Sequence, residues 1–181
     1  WMRLLTAVYG SVLWIVASDE VVRANLEAEA KSRGVDSGRL IFAKRVSLED
    51  HLARHVHADL LLDNLPYNAH TTTSDALWSG VPVVTCMGQA FAGRVAASLL
   101  NAVGLSELVT HSVAEYEALA FRLATNPSEL QRLRAHLRSV RAHAPLFDTE
   151  RFTQHLETAY LHMHERRLMS LPAEGFAVEA L

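Results

Sequence analysis

The sequence predicts a Rossmann-like, doubly wound parallel α/β fold. Short apolar runs of strand length alternate four or five times with amphipathic segments of helical period. The connections between them are short, and the runs are continuous rather than alternating, as in parallel strands covered on both faces. Such strand–helix–strand units close with right-handed crossovers.

Residues 1–9 read as the second half of a helix, with Leu4, Leu5, Val8 and Val12 at helical spacing and no capping residue ahead of them. The chain therefore reads as a piece of a longer protein. Residues 11–17 (SVLWIVA) form the first strand, rich in β-branched and aromatic residues and expected to be covered on both faces. Residues 19–33 form a helix with Val22, Leu26 and Ala30 four apart, stopped by Gly34. Residues 39–43 (RLIFA) are the second strand. Residues 48–57 are a short helix that Ser47 can cap, with Glu49 and Asp50 at its positive end.

Residues 59–62 (DLLL) are the third strand, followed by a turn over 63–69 that contains Pro66. A helix over 70–79 ends at the break Gly80-Val81-Pro82, which leads into a strand over 83–85. Residues 89–103 form a helix ending at Gly104, and 107–110 a last short strand. Beyond it lie helices only: 113–125, then 127–143 with Pro127 in its first turn, then 149–167. The last carries Phe152, Leu156, Ala159, Tyr160 and Met163 on one face. The expected division is a Rossmann-like ligand-binding lobe over 1–144, a helix over 145–169 packing back on the fold, and a flexible tail over 170–181 holding Pro172 and Gly175.

Composition narrows the function classes. Of 181 residues, 17 are Lys or Arg and 20 Asp or Glu, a net charge of −3, and half are apolar. That balance fits a globular domain and excludes a disordered tail or a fibre, and it gives no reason to expect a nucleic-acid partner. One cysteine, Cys86, excludes an internal disulfide framework and a multi-thiolate metal site. No apolar run approaches membrane-spanning length and no signal peptide opens the chain, so a cytoplasmic location is expected.

In open α/β sheets ligands bind beyond the carboxyl ends of the strands, which selects the loops 45–50, 64–73 and 87–93. The second places His70, Thr71, Thr72 and Thr73 where a helix begins. Free amides, the helix dipole, hydroxyls and an imidazole converge there, as a phosphate would require. The same letters also read as a cap, because Thr72 precedes the acid Asp75 by three residues. Asp75 can accept from a ribose diol, or simply favour the helix dipole. His51 and Arg54 share one helix face: an imidazole can stack on a base and a guanidinium can neutralise phosphate. His51 and His55 could pair on a metal, but no third ligand accompanies them, so no metal is expected. The remaining histidines are scattered, Arg94 reads as a surface residue, and no flanking base or cation singles out Cys86. The sequence contains no Asp-x-Asp pair, no GxxxxGK[ST] loop and no GxGxxG.

These residues together resemble the donor-binding lobe of O-linked N-acetylglucosamine transferases. The resemblance runs through Leu40-Ile41-Phe42-Ala43, Glu49-Asp50-His51, Ala58-Asp59, Leu62-Asp63, Asn68-Ala69-His70-Thr71-Thr72 and Asp75-Ala76-Leu77-Trp78-Ser79-Gly80-Val81-Pro82. It continues through Arg94-Val95-Ala96-Ala97-Ser98, Glu115-Tyr116 and Pro145-Leu146-Phe147 to the helix around Tyr160. It implies a bacterial homologue of that family, with this chain as the C-terminal lobe of a GT-B enzyme.

The implied donor is UDP-N-acetylglucosamine, the acceptor a Ser or Thr hydroxyl of a protein, and the reaction an inverting, metal-independent transfer without a cofactor. By the same resemblance His51 would stack on uracil and the Val46 backbone would bond its edge. Asp75 would hold the ribose, with Arg54 close by. His70, Thr71 and Thr72 would cradle the pyrophosphate, with His70 also stabilising the leaving phosphate, and Tyr67 would approach the N-acetyl pocket. Animal members carry Lys where this sequence has Leu48, and a small residue where it has Tyr67. The family's pyrophosphate-binding lysine, its N-terminal catalytic lobe and the helical repeats that hold protein acceptors would lie upstream. Rival readings are a protein O-fucosyltransferase using GDP-fucose, a catalytically silent nucleotide-binding scaffold and a UDP-sugar epimerase. The first has Thr and Glu in place of His70 and Asp75, and the last lacks the resemblance around Pro145 to Tyr160.

Overall fold

A computed structural model of the chain describes residues 1–17 and 19–179. Among them five parallel strands form two sheets, one of two strands and one of three. β1 (Leu13–Val16) pairs with β2 (Leu40–Ala43), Leu13 opposite Leu40 and Val16 opposite Ala43. β3 (Leu61–Leu62), β4 (Val83–Cys86) and β5 (Val109–Thr110) lie in that order. The helices are α1 (Met2–Ala7), α2 (Glu20–Ser32), α3 (Leu48–Arg54), α4 (Thr71–Trp78), α5 (Val95–Ala102), α6 (Val113–Thr125), α7 (Pro127–Val140) and α8 (Thr149–Leu168). Strands and helices alternate as the doubly wound class requires, but hydrogen bonding divides the sheet. β3 contributes only two residues to its ladder before the chain turns away at Asp63.

Local chemistry sets the helix ends. Asp19, Ser47, Ser112, Asn126 and Asp148 each cap a helix by accepting from amides in its first turn. Gly80, at φ +81°, closes α4 in the left-handed region and turns the chain into β4. The helix expected over 48–57 is α3 continued by one 3-10 turn, His55–His57.

The main core surrounds β4. Val83 and Val84 are fully buried among Leu77, Val81, Leu100, Leu123 and Leu133. Full burial of each such side chain stabilises the fold by about 1.5–3 kcal/mol. A smaller cluster of Met2, Leu5, Ala30, Val35 and Leu40 underlies the β1–β2 ladder.

Three expectations need correction. The first strand is not covered on both faces: Leu13 and Ile15 turn inward, while Trp14 and Val16 remain 36 % and 52 % exposed. The helix expected over 89–103 begins only at Val95, preceded by a loop and a 3-10 turn, Phe91–Gly93. Gly88 and Gly93 pack backbone to backbone there, with the Gly88 amide donating to the Gly93 carbonyl at 2.7 Å. That pairing takes the chain out of helical geometry. Finally, residues 107–110 are a 3-10 turn, Ser106–Leu108, followed by a two-residue strand.

In α8 Phe152, Leu156, Tyr160 and Met163, the apolar face read from its sequence, are exposed. Arg166 donates to the Pro172 carbonyl and pairs with Glu174, and Phe176 meets His162 at 4.3 Å. The tail expected over 170–181 ends in residues 180 and 181, which lie outside the described residues. Among the described residues no helix is long and apolar enough to cross a membrane.

Candidate functional site

The loops that follow β2, β3 and β4 meet at the N-terminus of α4. The turn after β3 is docked on the loop after β4: the Asn68 amide donates to the Ala92 carbonyl at 2.9 Å. Gly93 makes this approach possible, because a Cβ there would lie 2.9 Å from the Pro66 carbonyl oxygen. Across the cleft, His51 Nε2 of α3 stands 3.8 Å from Asp75 Oδ2 of α4.

His70 occupies the N-cap position of α4, yet its side chain caps nothing. The first intrahelical bond runs from the Ser74 amide to the His70 carbonyl. The amides of Thr71, Thr72 and Thr73 are thus left without an intrahelical acceptor, at the positive end of the helix dipole. The capping box that Thr72 and Asp75 suggested does not form, since Thr72 lies inside the first turn rather than at the cap. Thr71 and Thr72 are exposed, whereas Thr73 is fully buried.

The His70 ring is sandwiched. Tyr67 stacks on it at 4.9 Å with an interplanar angle of 17°, and Phe91 meets its edge at 6.3 Å. Its Nε2 lies 3.4 Å from the Ala92 carbonyl, a long contact that leaves this nitrogen available to a better acceptor. Tyr67 itself is 64 % exposed at the mouth of the turn.

The second half of the site is built around His51. Arg54 donates to His51 Nδ1 at 2.7 Å, and a guanidinium can only donate, so Nδ1 accepts and Nε2 carries the proton. That N–H faces the Asp75 carboxylate. Burial, then His55 and Arg54, hold the His51 pKa below its ordinary 6.5, which keeps the ring neutral near pH 7. Arg54 is itself anchored by the Lys44 carbonyl at 2.9 Å and lies 5.3 Å above the Trp14 ring. Its guanidinium therefore orients His51. Val46, half-exposed between β2 and α3, borders the same side. Leu48, in the first turn of α3, is exposed. His55 is buried and its Nδ1 donates to the His51 carbonyl at 2.7 Å. Among the described residues no three His, Cys, Asp or Glu side chains gather as a metal-binding set.

The lowered His51 pKa has a sign for stability. The unfolded imidazole binds its proton at 6.5, before the folded one does, so stability falls as pH drops through 6.5 toward the folded value. Thermal midpoints measured against pH are expected to fall more steeply in this window for the wild type than for His51→Gln. Identical slopes would contradict the assignment.

Sequence reasoning missed the supports of the turn. Asp63, 2 % exposed, accepts from the Asn64 and Ala69 amides and from the Thr85 hydroxyl. Burial raises its pKa, against the lowering effect of those bonds. Tyr116 donates to the Asp63 carbonyl at 3.0 Å, and burial pushes its own hydroxyl pKa up. The one available signal was an acid placed directly after an apolar strand. Arg94 is exposed, and Cys86 is buried at the end of β4.

Parallel strands whose carboxyl-end loops converge on an uncapped helix define a Rossmann-like ligand-binding lobe. The profile of glycosyl transferase family 41 matches residues 1–156. The chain is 38 % identical over 164 residues to the Arabidopsis thaliana protein named as a probable UDP-N-acetylglucosamine–peptide N-acetylglucosaminyltransferase SEC. It is 33 % identical over 174 residues to the Caenorhabditis elegans UDP-N-acetylglucosamine–peptide N-acetylglucosaminyltransferase. These alignments cover 90 % and 96 % of this chain but 17 % and 15 % of the relatives, so the chain spans under a fifth of their length. A solved structure of an O-GlcNAc transferase mutant from Thermobaculum terrenum superposes with a TM-score of 0.85 at 38 % identity, covering 90 % of this chain and 32 % of that one.

The chain belongs to glycosyl transferase family 41. Its fold is that of the C-terminal lobe of a GT-B glycosyltransferase.

Proposed function

We propose that this chain is the donor-binding lobe of an inverting transferase that moves N-acetylglucosamine from UDP-N-acetylglucosamine to Ser or Thr hydroxyls of proteins. The observation that carries the reading is the open first turn of α4, with His70 at the N-cap and exposed Thr71 and Thr72 beside it. The family membership and the activity for which the relatives are named support it.

In this reading the diphosphate sits against the amides of Thr71, Thr72 and Thr73, with the two exposed hydroxyls donating to its oxygens. Uracil lies on the neutral His51 ring, its edge met by the Val46 backbone. Asp75 accepts from the ribose diol, and Arg54 acts by fixing the His51 tautomer. Tyr67 borders the sugar. The acceptor hydroxyl oxygen attacks the anomeric carbon, its proton passes to a general base supplied by the upstream part of the full-length protein, the bond to the β-phosphate oxygen breaks, and the electron pair leaves with UDP. The growing negative charge is met by the helix terminus and by the His70 Nε2 proton. These donors carry the phosphate charge, so the proposed chemistry uses neither a metal nor a cofactor. The rest of a relative-sized protein supplies the acceptor side: an N-terminal lobe and helical repeats that hold the substrate protein.

Calorimetry on the full-length protein tests the reading. UDP and UDP-N-acetylglucosamine are expected to bind, with GDP weaker by about tenfold or more, the cost of an unmatched base edge. Preference for GDP, or no binding of either diphosphate, would contradict it.

A further inference from the structure

Asp63 is a buried acid that the transfer itself does not use. No lysine or arginine pairs with it among the described residues, although burial of an unpaired carboxylate is costly. Hydrogen bonds replace the missing cation. Oδ1 accepts from the Asn64 amide at 2.8 Å and from the Ala69 amide at 2.6 Å, while Oδ2 accepts from the Thr85 hydroxyl of β4 at 2.5 Å. The main-chain carbonyl of the same residue takes the Tyr116 hydroxyl of α6. One residue thus ties the first and last peptides of the turn to each other, to the neighbouring strand and to a helix behind it.

The Ala69 bond is the important one. Ala69 directly precedes His70, so its amide fixes the peptide plane from which the N-cap ring and the open amides of α4 follow. All three partners are donors, and only a carboxylate offers two oxygens that accept without also donating. An asparagine would keep one oxygen but aim an N–H₂ at one of these donors.

We propose that Asp63 is a positioning residue for diphosphate recognition, holding the turn so that His70 and the α4 amides are aimed before the ligand arrives. This rests on the diphosphate reading of the site given above. It makes a selective demand: Asp63 matters to the phosphate half of a nucleotide and not to the base half, which His51 and Val46 serve from α3 and the loop before it.

The test compares uridine and UDP as ligands of the full-length protein and of its Asp63→Asn and Thr85→Val variants. Thermal midpoints are recorded alongside. For Asp63→Asn, UDP affinity is expected to fall on the order of 10- to 100-fold, the scale of a charge-assisted hydrogen bond, with uridine affinity unchanged. Thr85→Val, which removes only the Oδ2 partner and lies outside the ligand's reach, is expected to shift the same ratio less. Equal losses for both ligands would reduce Asp63 to a purely structural acid, and unchanged UDP affinity would overturn the proposal outright. If Asp63→Asn does not fold, Thr85→Val decides: an unaltered UDP-to-uridine ratio overturns the proposal. A wild-type protein that binds UDP no better than uridine would instead sink the diphosphate reading itself.

Discussion

Replacement of His70 by alanine is expected to lower kcat about 10²- to 10³-fold, about 3–4 kcal/mol of barrier, with the donor KM changed only a few-fold. Three features lead to this expectation. The imidazole stands at the N-cap of α4, where the dipole already favours an anion. Its ring is clamped by Tyr67 and Phe91, so it is oriented before the ligand arrives. Its Nε2 has only a 3.4 Å contact to the Ala92 carbonyl to give up. A donor of this kind gains most when negative charge accumulates on the departing phosphate, so its loss is felt in the transition state more than in the ground state. Steady-state kinetics of the full-length variant checks this. A raised KM with unchanged kcat would assign His70 to uniform binding instead.

Asp75→Ala carries the next largest effect, of the opposite kind. UDP affinity is expected to fall on the order of 10- to 100-fold, with kcat at saturating donor within a few-fold of wild type. The variant removes two acceptors for the ribose diol. It also removes the carboxylate that faces the His51 N–H at 3.8 Å, freeing the ring that Arg54 holds from the other side. Asp75 sits in the second turn of α4, away from the leaving phosphate, which is why the loss belongs to binding. Calorimetry with UDP reads it directly, and an unchanged dissociation constant would reduce Asp75 to a helix-dipole acid.

Features with a local cause were legible in the sequence. Ser47 as cap of α3, Pro127 at the start of α7 and the boundaries of α6 follow from capping chemistry and period, and the structure places them there. The three loops selected by the carboxyl-end rule are the ones that converge. What escaped depends on contacts distant in sequence. The half-open outer face of β1 is a matter of which elements cover it, and an apolar run carries no record of that. The unwinding of residues 89–94 comes from the Gly88–Gly93 pairing and the approach to Pro66. The choice between cap and phosphate turn at Thr72 was undecidable from spacing alone, because the residue types are shared. The start of α4 at Thr71 excludes the cap, because Thr72 then lies inside the first turn. The His51 tautomer needed the Arg54 geometry, and Asp63 needed its partner on β4.

The most direct measurement is a crystal structure of the full-length protein with UDP. The diphosphate is expected within hydrogen-bonding distance of the Thr71 and Thr72 amides and of His70 Nε2, with the base against His51. Nucleotide bound elsewhere, over an unoccupied α4 N-terminus, would contradict the assignment of this site.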